Sequence, residues 1–225
     1  MRLFSSAAAT VALLVGGVTS ADAGPRTPEP ERLRIGGEVF SAVGASDALT
    51  LDRSDDSTGE WLAGGATLEA LIGPVVLGIT ADGQSRLWGP VEGHRGLLVG
   101  GQTPPLWYLG SWAAVRAQVL VELGLHSFEN LGDAYLIATP VGDPGAAETM
   151  YAGARGVLRV ESRWGFYFGA SLLMRHDLDT SSVAVRVHHP FCFLCDEEER
   201  NRSDTWHYRV GGNQGALLLS FGWIL

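Results

Sequence analysis

The last nine residues, Leu217-Leu218-Leu219-Ser220-Phe221-Gly222-Trp223-Ile224-Leu225, carry the clearest strand pattern of the chain. Large apolar side chains alternate here with mostly smaller ones. Successive side chains of a strand point to opposite faces, so a period of two predicts a β-strand with one large apolar face. That face consists of Leu217, Leu219, Phe221, Trp223 and Leu225.

The same alternation recurs in earlier segments, several of about 11 residues, which is the length of a tilted strand that crosses a bilayer. Gln118, Glu122 and His126 would also share one face of a helix, but the β-branched residues around them favour a strand. Eight strands are predicted, at 33–43, 62–72, 75–81, 95–102, 115–126, 150–161, 164–175 and 216–225.

The connections between these strands alternate in length. Short turns are predicted at Gly73-Pro74 and Ser162-Arg163, an intermediate connection at 103–111, and long loops at 44–61, 84–94 and 127–148. Long loops on one side and short turns on the other are typical of outer-membrane barrels.

The segment 176–214 leaves two alternatives open. Two further short strands in it would give a barrel of ten. We prefer eight strands, with Ser182–His189 and Thr205–Val210 extending the last two as a ribbon, and with Gly211-Gly212 forming a bulge.

The N-terminus predicts export. Met1-Arg2-Leu3 is a short basic start, a stretch of small and apolar residues follows to Val18, and Ala21-Asp22-Ala23 fits a signal-peptidase site. The predicted organisation is a signal peptide at 1–23, a proline-rich linker at 24–30, and the barrel at 31–225.

Charge argues against nucleic acid as a partner. The 225 residues include 16 basic residues, all arginine, and 25 acidic ones, for a net charge of −9. A nucleic-acid binder needs a basic face that displaces counterions from phosphates.

The faces opposite the apolar ones hold charges of both signs. An eight-stranded barrel is just wide enough inside for side chains to fill it, and opposite charges can pair there. We therefore predict a lumen plugged by an ion-pair network; in a soluble barrel or sandwich the same charges would face water. The predicted network is Arg34, Glu38, Glu69, Asp82, Arg116, Glu122, Arg155, Arg159, Glu161 and Arg175.

Five aromatic residues are predicted near the short-turn ends, as in an interfacial girdle: Trp107, Tyr108, Trp112, Trp164 and Trp223. With the leader, strand lengths, loop asymmetry and C-terminal strand, residues 31–225 resemble small outer-membrane β-barrel proteins of the OmpA-membrane-domain class. That class usually ends in an aromatic residue, and Leu225 departs from it.

The resemblance implies an all-β, antiparallel, up-and-down transmembrane barrel. It implies a location in the outer membrane of a Gram-negative bacterium, after secretion through the inner membrane. The partners it implies are the lipid bilayer, lipopolysaccharide and the barrel-assembly machinery. No cofactor, metal or catalytic residue is carried over, and the oligomeric state stays open.

Two constellations have alternative interpretations. Cys192 and Cys195 predict a local disulfide in an oxidising compartment, because their spacing to the nearby histidines matches no standard zinc site. His126 and Ser127 suggest a lipid-modifying hydrolase, but neighbouring residues of a strand face opposite ways.

The sequence therefore favours a non-enzymatic barrel with a charge-plugged lumen and acidic surface loops, serving envelope structure or surface interaction. A small channel or carrier of apolar molecules is the first alternative. A lipid-modifying enzyme and a secreted soluble ligand-binding barrel are the others.

Overall fold

The computed structural model describes residues 33–51, 59–86, 91–130, 137–141, 148–188 and 203–225. The predicted signal peptide, linker and disulfide pair lie outside these residues. Within the described ranges no helix is long and apolar enough to cross a membrane.

The described residues form thirteen strands, numbered here in chain order. They are β1 (Leu33–Ser46), β2 (Leu49–Leu51), β3 (Gly59–Ile72), β4 (Val75–Arg86), β5 (Val91–Gln102), β6 (Trp107–Leu109), β7 (Ala113–Asn130), β8 (Ile137–Val141), β9 (Glu148–Ser162), β10 (Phe166–Asp177), β11 (Ser181–His188), β12 (Ser203–Val210) and β13 (Asn213–Ile224).

Eight of the described strands close into a ring, in the order β1, β3, β4, β5, β7, β9, β10, β13 and back to β1. Every neighbouring pair in the ring is antiparallel. The eight predicted strands are therefore confirmed, and the protein is an all-β, closed antiparallel barrel. The ring thus has eight strands and not the alternative ten.

The predicted ribbon is confirmed as well. Strands β11 and β12 pair antiparallel, and β8 and β2 add to their outer edges to make a four-stranded sheet. The predicted glycine bulge is a two-residue break between β12 and β13. Gly211 there has φ of +104°, a left-handed conformation that glycine adopts without a steric penalty.

The two ends of the barrel differ. Gly73 (φ +57°) and Gly165 (φ +90°) make tight turns at one end, called the turn end. Hydrogen bonds between the backbones of Ile35 and Leu225 hold the first and last ring strands together there. The opposite end, called the loop end, carries the four-stranded sheet.

The bounds of all three predicted long loops are wrong, because strands continue into each of them. β1 and β3 extend into 44–61, and β7 and β9 extend into 127–148. The connection expected at 84–94 loses most of its length, because β4 continues to Arg86 and β5 already begins at Val91. Gln84, Glu92 and His94 therefore lie on ring strands, where their side chains are buried.

The outer surface of the ring is apolar. In β10 and β13 exposed and buried residues alternate without a break. Some outward side chains are highly exposed, including Leu219 (64%), Phe168 (66%) and Leu172 (67%). We call this surface the apolar belt; it comprises Leu33, Ile35, Val39, Val43, Leu62, Leu68, Ile72, Val75, Leu77, Ile79, Leu97, Val99, Val119, Val121, Leu123, Leu125, Met150, Leu158, Phe166, Phe168, Leu172, Met174, Leu217, Leu219, Phe221 and Trp223.

The aromatic residues predicted at the short-turn ends are exposed at the turn end. Strand β6 carries Trp107 and Tyr108 and pairs with the start of β7, and Gly110 (φ +65°) reverses the chain between them. Trp164 lies in the β9–β10 turn, and the Trp223 ring packs 4.6 Å from that of Phe166. This placement confirms the predicted clustering.

The interior contains two apolar clusters besides the charges. The first consists of Leu71, Val76, Leu98, Leu120, Val157, Tyr167 and Ile224. The second consists of Phe40, Ala42, Trp61, Leu173, Ala216 and Leu218. The inward faces are therefore mixed, and the ion pairs are embedded among apolar neighbours.

Candidate functional site

The candidate site is the charged interior, whose layers are described from the turn end upward. Nearest that end, Glu161 on β9 accepts a hydrogen bond from Arg116 Nε on β7 at 2.9 Å. Arg34 Nη1 on β1 lies 3.8 Å from the same carboxylate. Arg116 also donates to the backbone oxygen of Thr103 at 3.3 Å. This pair is partly exposed, since the Arg116 side chain is 19% accessible.

The next layer is centred on Arg159 of β9, which has no exposed surface. Its two terminal nitrogens donate to both oxygens of Glu69 on β3 at 2.9–3.1 Å. Glu38 on β1 lies 3.7 Å from Arg159 and accepts from Arg155 at 2.5 Å and from the Tyr167 hydroxyl at 3.3 Å. The Arg159 guanidinium also lies over the Tyr167 ring, 3.9 Å from its centroid.

A third layer is centred on Arg175 of β10. Its Nη2 donates to Asp82 of β4 at 2.6 Å and to Glu122 of β7 at 2.8 Å. The Tyr151 hydroxyl donates to Glu122 Oε1, the same oxygen that accepts from Arg175 Nη2. All four side chains are enclosed by the barrel wall.

The layer nearest the loop end is centred on His126 of β7. Its Nδ1 lies 3.0 Å from Asp177 Oδ1, and its Nε2 lies 3.1 Å from Glu92 Oε2. Thr149 donates to Asp177 at 3.1 Å, and Gln84 donates to Glu92 at 3.0 Å. An imidazolium that donates from both nitrogens satisfies this geometry, with one carboxylate on each side.

A second histidine joins the two upper layers. The His94 ring stacks on the His126 ring with 4.0 Å between centroids, and its Nδ1 lies 3.0 Å from Asp82 Oδ1. The edge of the Tyr151 ring completes the contact, at 5.2 Å between centroids. Polar contacts and ring stacking therefore run from the loop end to the middle of the barrel.

Glycines make room for the large interior side chains. A Cβ on Gly222 would lie 2.5 Å from both the Tyr167 hydroxyl and the Gly37 backbone oxygen. A Cβ on Gly96 would overlap the Tyr151 hydroxyl and lie 3.1 Å from Glu122. Both tyrosines thus reach across the interior because the facing wall lacks side chains at these points.

The structure places all ten residues of the predicted network in ion pairs inside the barrel. The sequence prediction missed Glu92, His94 and Asp177, and it placed His126 on an inner face without assigning it a partner. Continuing the two-residue alternation beyond the predicted strand ends would have found them. Asp177 lies two residues after Arg175. Glu92 and His94 lie six and four residues before Leu98, on the same face.

The structure does not bring His126 and Ser127 together as a hydrolase would need, because their side chains point to opposite faces of β7. Both His126 nitrogens face carboxylates inside the barrel, whereas Ser127 Oγ donates to the Gly93 backbone oxygen on the adjacent strand. Among the described residues, no group of three or more His, Cys, Asp or Glu side chains is arranged to hold a metal ion.

Only the comparison with solved structures finds proteins similar to this chain. No family model matches the chain, and no curated protein matches it. The solved structures similar to it include Neisserial surface protein A (NspA), with a TM-score of 0.45, 6% identity, and coverage of 85% of this chain and 96% of that chain. They also include the outer membrane protein OprG from Pseudomonas aeruginosa, with a TM-score of 0.43, 9% identity, and coverage of 86% and 95%.

An outer membrane channel from Pseudomonas putida F1 is more distant, with a TM-score of 0.24, 11% identity, and coverage of 92% of this chain and 100% of that chain. Two of these three neighbours are described as an outer membrane protein and an outer membrane channel. The likeness is in fold alone, and the proposals below rest on the residues of this chain.

Proposed function

We propose that this protein is a non-conducting outer-membrane β-barrel that serves envelope structure or surface interaction in a Gram-negative bacterium. One observation carries the proposal: the outer surface of the ring is apolar, and its interior holds paired charges. A soluble protein rarely exposes a continuous apolar surface of more than a few hundred Å². The bilayer is the partner that such a belt fits.

The energetics favour this interpretation. Each large belt side chain gains about 1.5–3 kcal/mol when it leaves water for an apolar surrounding. Over the whole belt the gain is on the order of tens of kcal/mol. In water that gain would be lost, while the cost of burying the interior charges would remain.

The ion pairs support a closed lumen because they span it. Arg159 of β9 meets Glu69 of β3, and Arg175 of β10 meets Asp82 of β4. In the ring order each of these strand pairs is four positions apart, so the partners stand on opposite walls. Two ion pairs, called the crossing pairs, therefore span the lumen at different heights.

Conductance in a planar bilayer tests this closure. The full chain should give no defined current steps. The combined variant R159A/E69A/R175A/D82A removes both crossing pairs and should give small current steps. The double variant R116A/E161A, which removes the partly exposed pair at the turn end, is the matched control and should stay silent. Defined steps from the unmodified protein would overturn the proposal.

A small channel is the second candidate, and one observation favours it. Both side-chain polar atoms of Gln118, and both of Gln214, are buried without a hydrogen-bond partner. Buried polar groups of this kind usually bind internal water. A path of such waters would conduct ions if the crossing pairs separated, and the same bilayer recording would detect that current.

The proposed role is not enzymatic. A nucleophile and its base must come within hydrogen-bond reach of each other, and His126 is engaged by carboxylates at both nitrogens. Expression in a Gram-negative host should leave the mass of lipid A unchanged. A mass change that the variant His126→Ala abolishes would contradict this part of the proposal.

A further inference from the structure

A buried histidine lies between two carboxylates where the ring joins the ribbon of β11 and β12. His126 on β7 contacts Asp177, the last residue of β10, and Glu92, the second residue of β5. The His126 side chain has no exposed surface, and those of Glu92 and Asp177 are 3% and 2% exposed. The charge state of His126 therefore depends on the protein groups around it.

These groups come from several strands of the ring. The described charged and titratable side chains that face His126 or its stacked neighbour are Glu92 and His94 of β5, Asp177 and Arg175 of β10, Asp82 of β4, Tyr151 of β9 and Glu122 of β7 itself. Arg175 already binds two of the carboxylates, Asp82 and Glu122. A protonated His126 is placed to bind the other two.

The stacking of the two histidine rings indicates which of them carries a proton. Their centroids are 4.0 Å apart, so two imidazolium ions in this position would repel each other. His94 contacts one carboxylate, Asp82, which Arg175 also binds, and His94 Nε2 is buried with no hydrogen-bond partner among the described residues. His126 contacts a carboxylate at each nitrogen. The positive charge is therefore best stabilised on His126.

Loss of this proton would weaken one side of the bridge. A neutral imidazole has a single N–H, so it can donate to only one of the two carboxylates. Asp177 also secures the ribbon: its Oδ2 accepts from the Gly212 amide at 3.0 Å, and its own amide donates to the Gly212 oxygen at 2.9 Å. Gly211-Gly212 connects β12 to β13. The proton on His126 is therefore coupled to the base of the ribbon.

We propose that Glu92, His126 and Asp177 form a pH-sensitive clasp that holds the base of the ribbon to the ring. The clasp is closed while His126 is protonated. As the pH rises and His126 loses its proton, the junction at Gly211-Gly212 opens more often. The clasp does not require the membrane location proposed above, so its failure would leave the proposed function in place.

The test measures how fast subtilisin cuts between β12 and β13 from pH 6 to pH 10, with the refolded full chain in detergent micelles. Each rate is divided by the rate for an unstructured peptide, which removes the pH dependence of the protease. Cleavage should rise about tenfold with pH, because a charge-assisted hydrogen bond is roughly twice as strong as a neutral one. His126→Gln cannot be protonated, so this variant should be cut fast at every pH.

His176→Gln is the matched control. This histidine precedes Asp177 but is exposed on the outer face of β10, where its Nδ1 lies 3.0 Å from Asn213 Oδ1. Its replacement should leave the pH dependence of cleavage unchanged.

A measurement on the unmodified protein makes the test independent of how well H126Q refolds. In NMR spectra the Gly212 amide signal should shift with pH at the same midpoint as the His126 ring, because Asp177 contacts both groups. A Gly212 signal that stays fixed while His126 titrates would overturn the clasp. So would a His126 ring that is neutral throughout, or the same pH dependence of cleavage in H126Q and the unmodified protein.

Discussion

Replacing Arg159 by methionine should be among the most destabilising single changes in the barrel. Both oxygens of Glu69 are held by Arg159, through three hydrogen bonds of 2.9–3.1 Å. Methionine fills a similar volume but leaves that carboxylate buried without a cation. Breaking a buried pair in this way costs about 3–5 kcal/mol. The variant also lacks the guanidinium that lies over the Tyr167 ring.

The paired variant R159M/E69L separates the charge from the packing. Replacing both members of a buried pair by apolar residues of similar size is often close to neutral, because no unpaired charge remains. The double variant should therefore regain most of the stability that R159M loses. The difference is the coupling energy that a double-mutant cycle measures.

The assay is urea unfolding of the refolded full chain in detergent micelles, followed by tryptophan fluorescence. Arg116→Met is the matched control, since that side chain is partly exposed and Glu161 keeps Arg34 nearby, so its cost should be about 0–1 kcal/mol. The reasoning is refuted if R159M costs no more than R116M, or if R159M/E69L is no more stable than R159M.

Three further changes test other parts of the account. Leu219→Arg places a charge on the apolar belt and should cost about 2–4 kcal/mol in a bilayer, against about 0.5 kcal/mol on a water-exposed surface; unfolding in vesicles distinguishes these values. Asp177→Asn weakens the hydrogen bonds with His126 and the Gly212 amide, so it should cost about 1–3 kcal/mol and speed proteolysis between β12 and β13. Gly222→Val crowds the Tyr167 hydroxyl and should lower the urea midpoint by an amount equivalent to about 1–3 kcal/mol.

Each of these changes has a result that would count against the account. A neutral Leu219→Arg would mean that the belt faces water. Unchanged proteolysis of Asp177→Asn would mean that Asp177 does not secure the junction with the ribbon. A Gly222→Val variant as stable as the unmodified protein would mean that the interior has spare room beside Tyr167.

The barrel could be predicted from the sequence because its belt faces are strongly apolar. Where both faces become polar, the period of two loses its contrast, and the prediction of β4 and β5 stopped too early for this reason. Gln84 and Glu92 lie in these polar extensions, so the sequence placed them in a loop. The short strands β2 and β8 pair with a distant part of the chain, which no local pattern encodes.

The membership of the charged network was predictable, but its pairing was not. The alternation of faces along each strand placed the ten charged residues on inner faces. The partner of Arg159 depends on which strands stand on opposite walls, and therefore on ring order and register. The mixed interior was also not anticipated, since residues such as Leu71 and Val76 do not differ in type from the residues of the belt.

The most direct test of the central claim is the gel mobility of the full chain in the outer-membrane fraction, compared before and after boiling. A membrane-embedded barrel resists detergent until it is heated. The protein should fractionate with the outer membrane and change its mobility on boiling. A soluble protein with the same mobility in both samples would contradict the account, because its apolar belt would then have to be covered by something other than lipid.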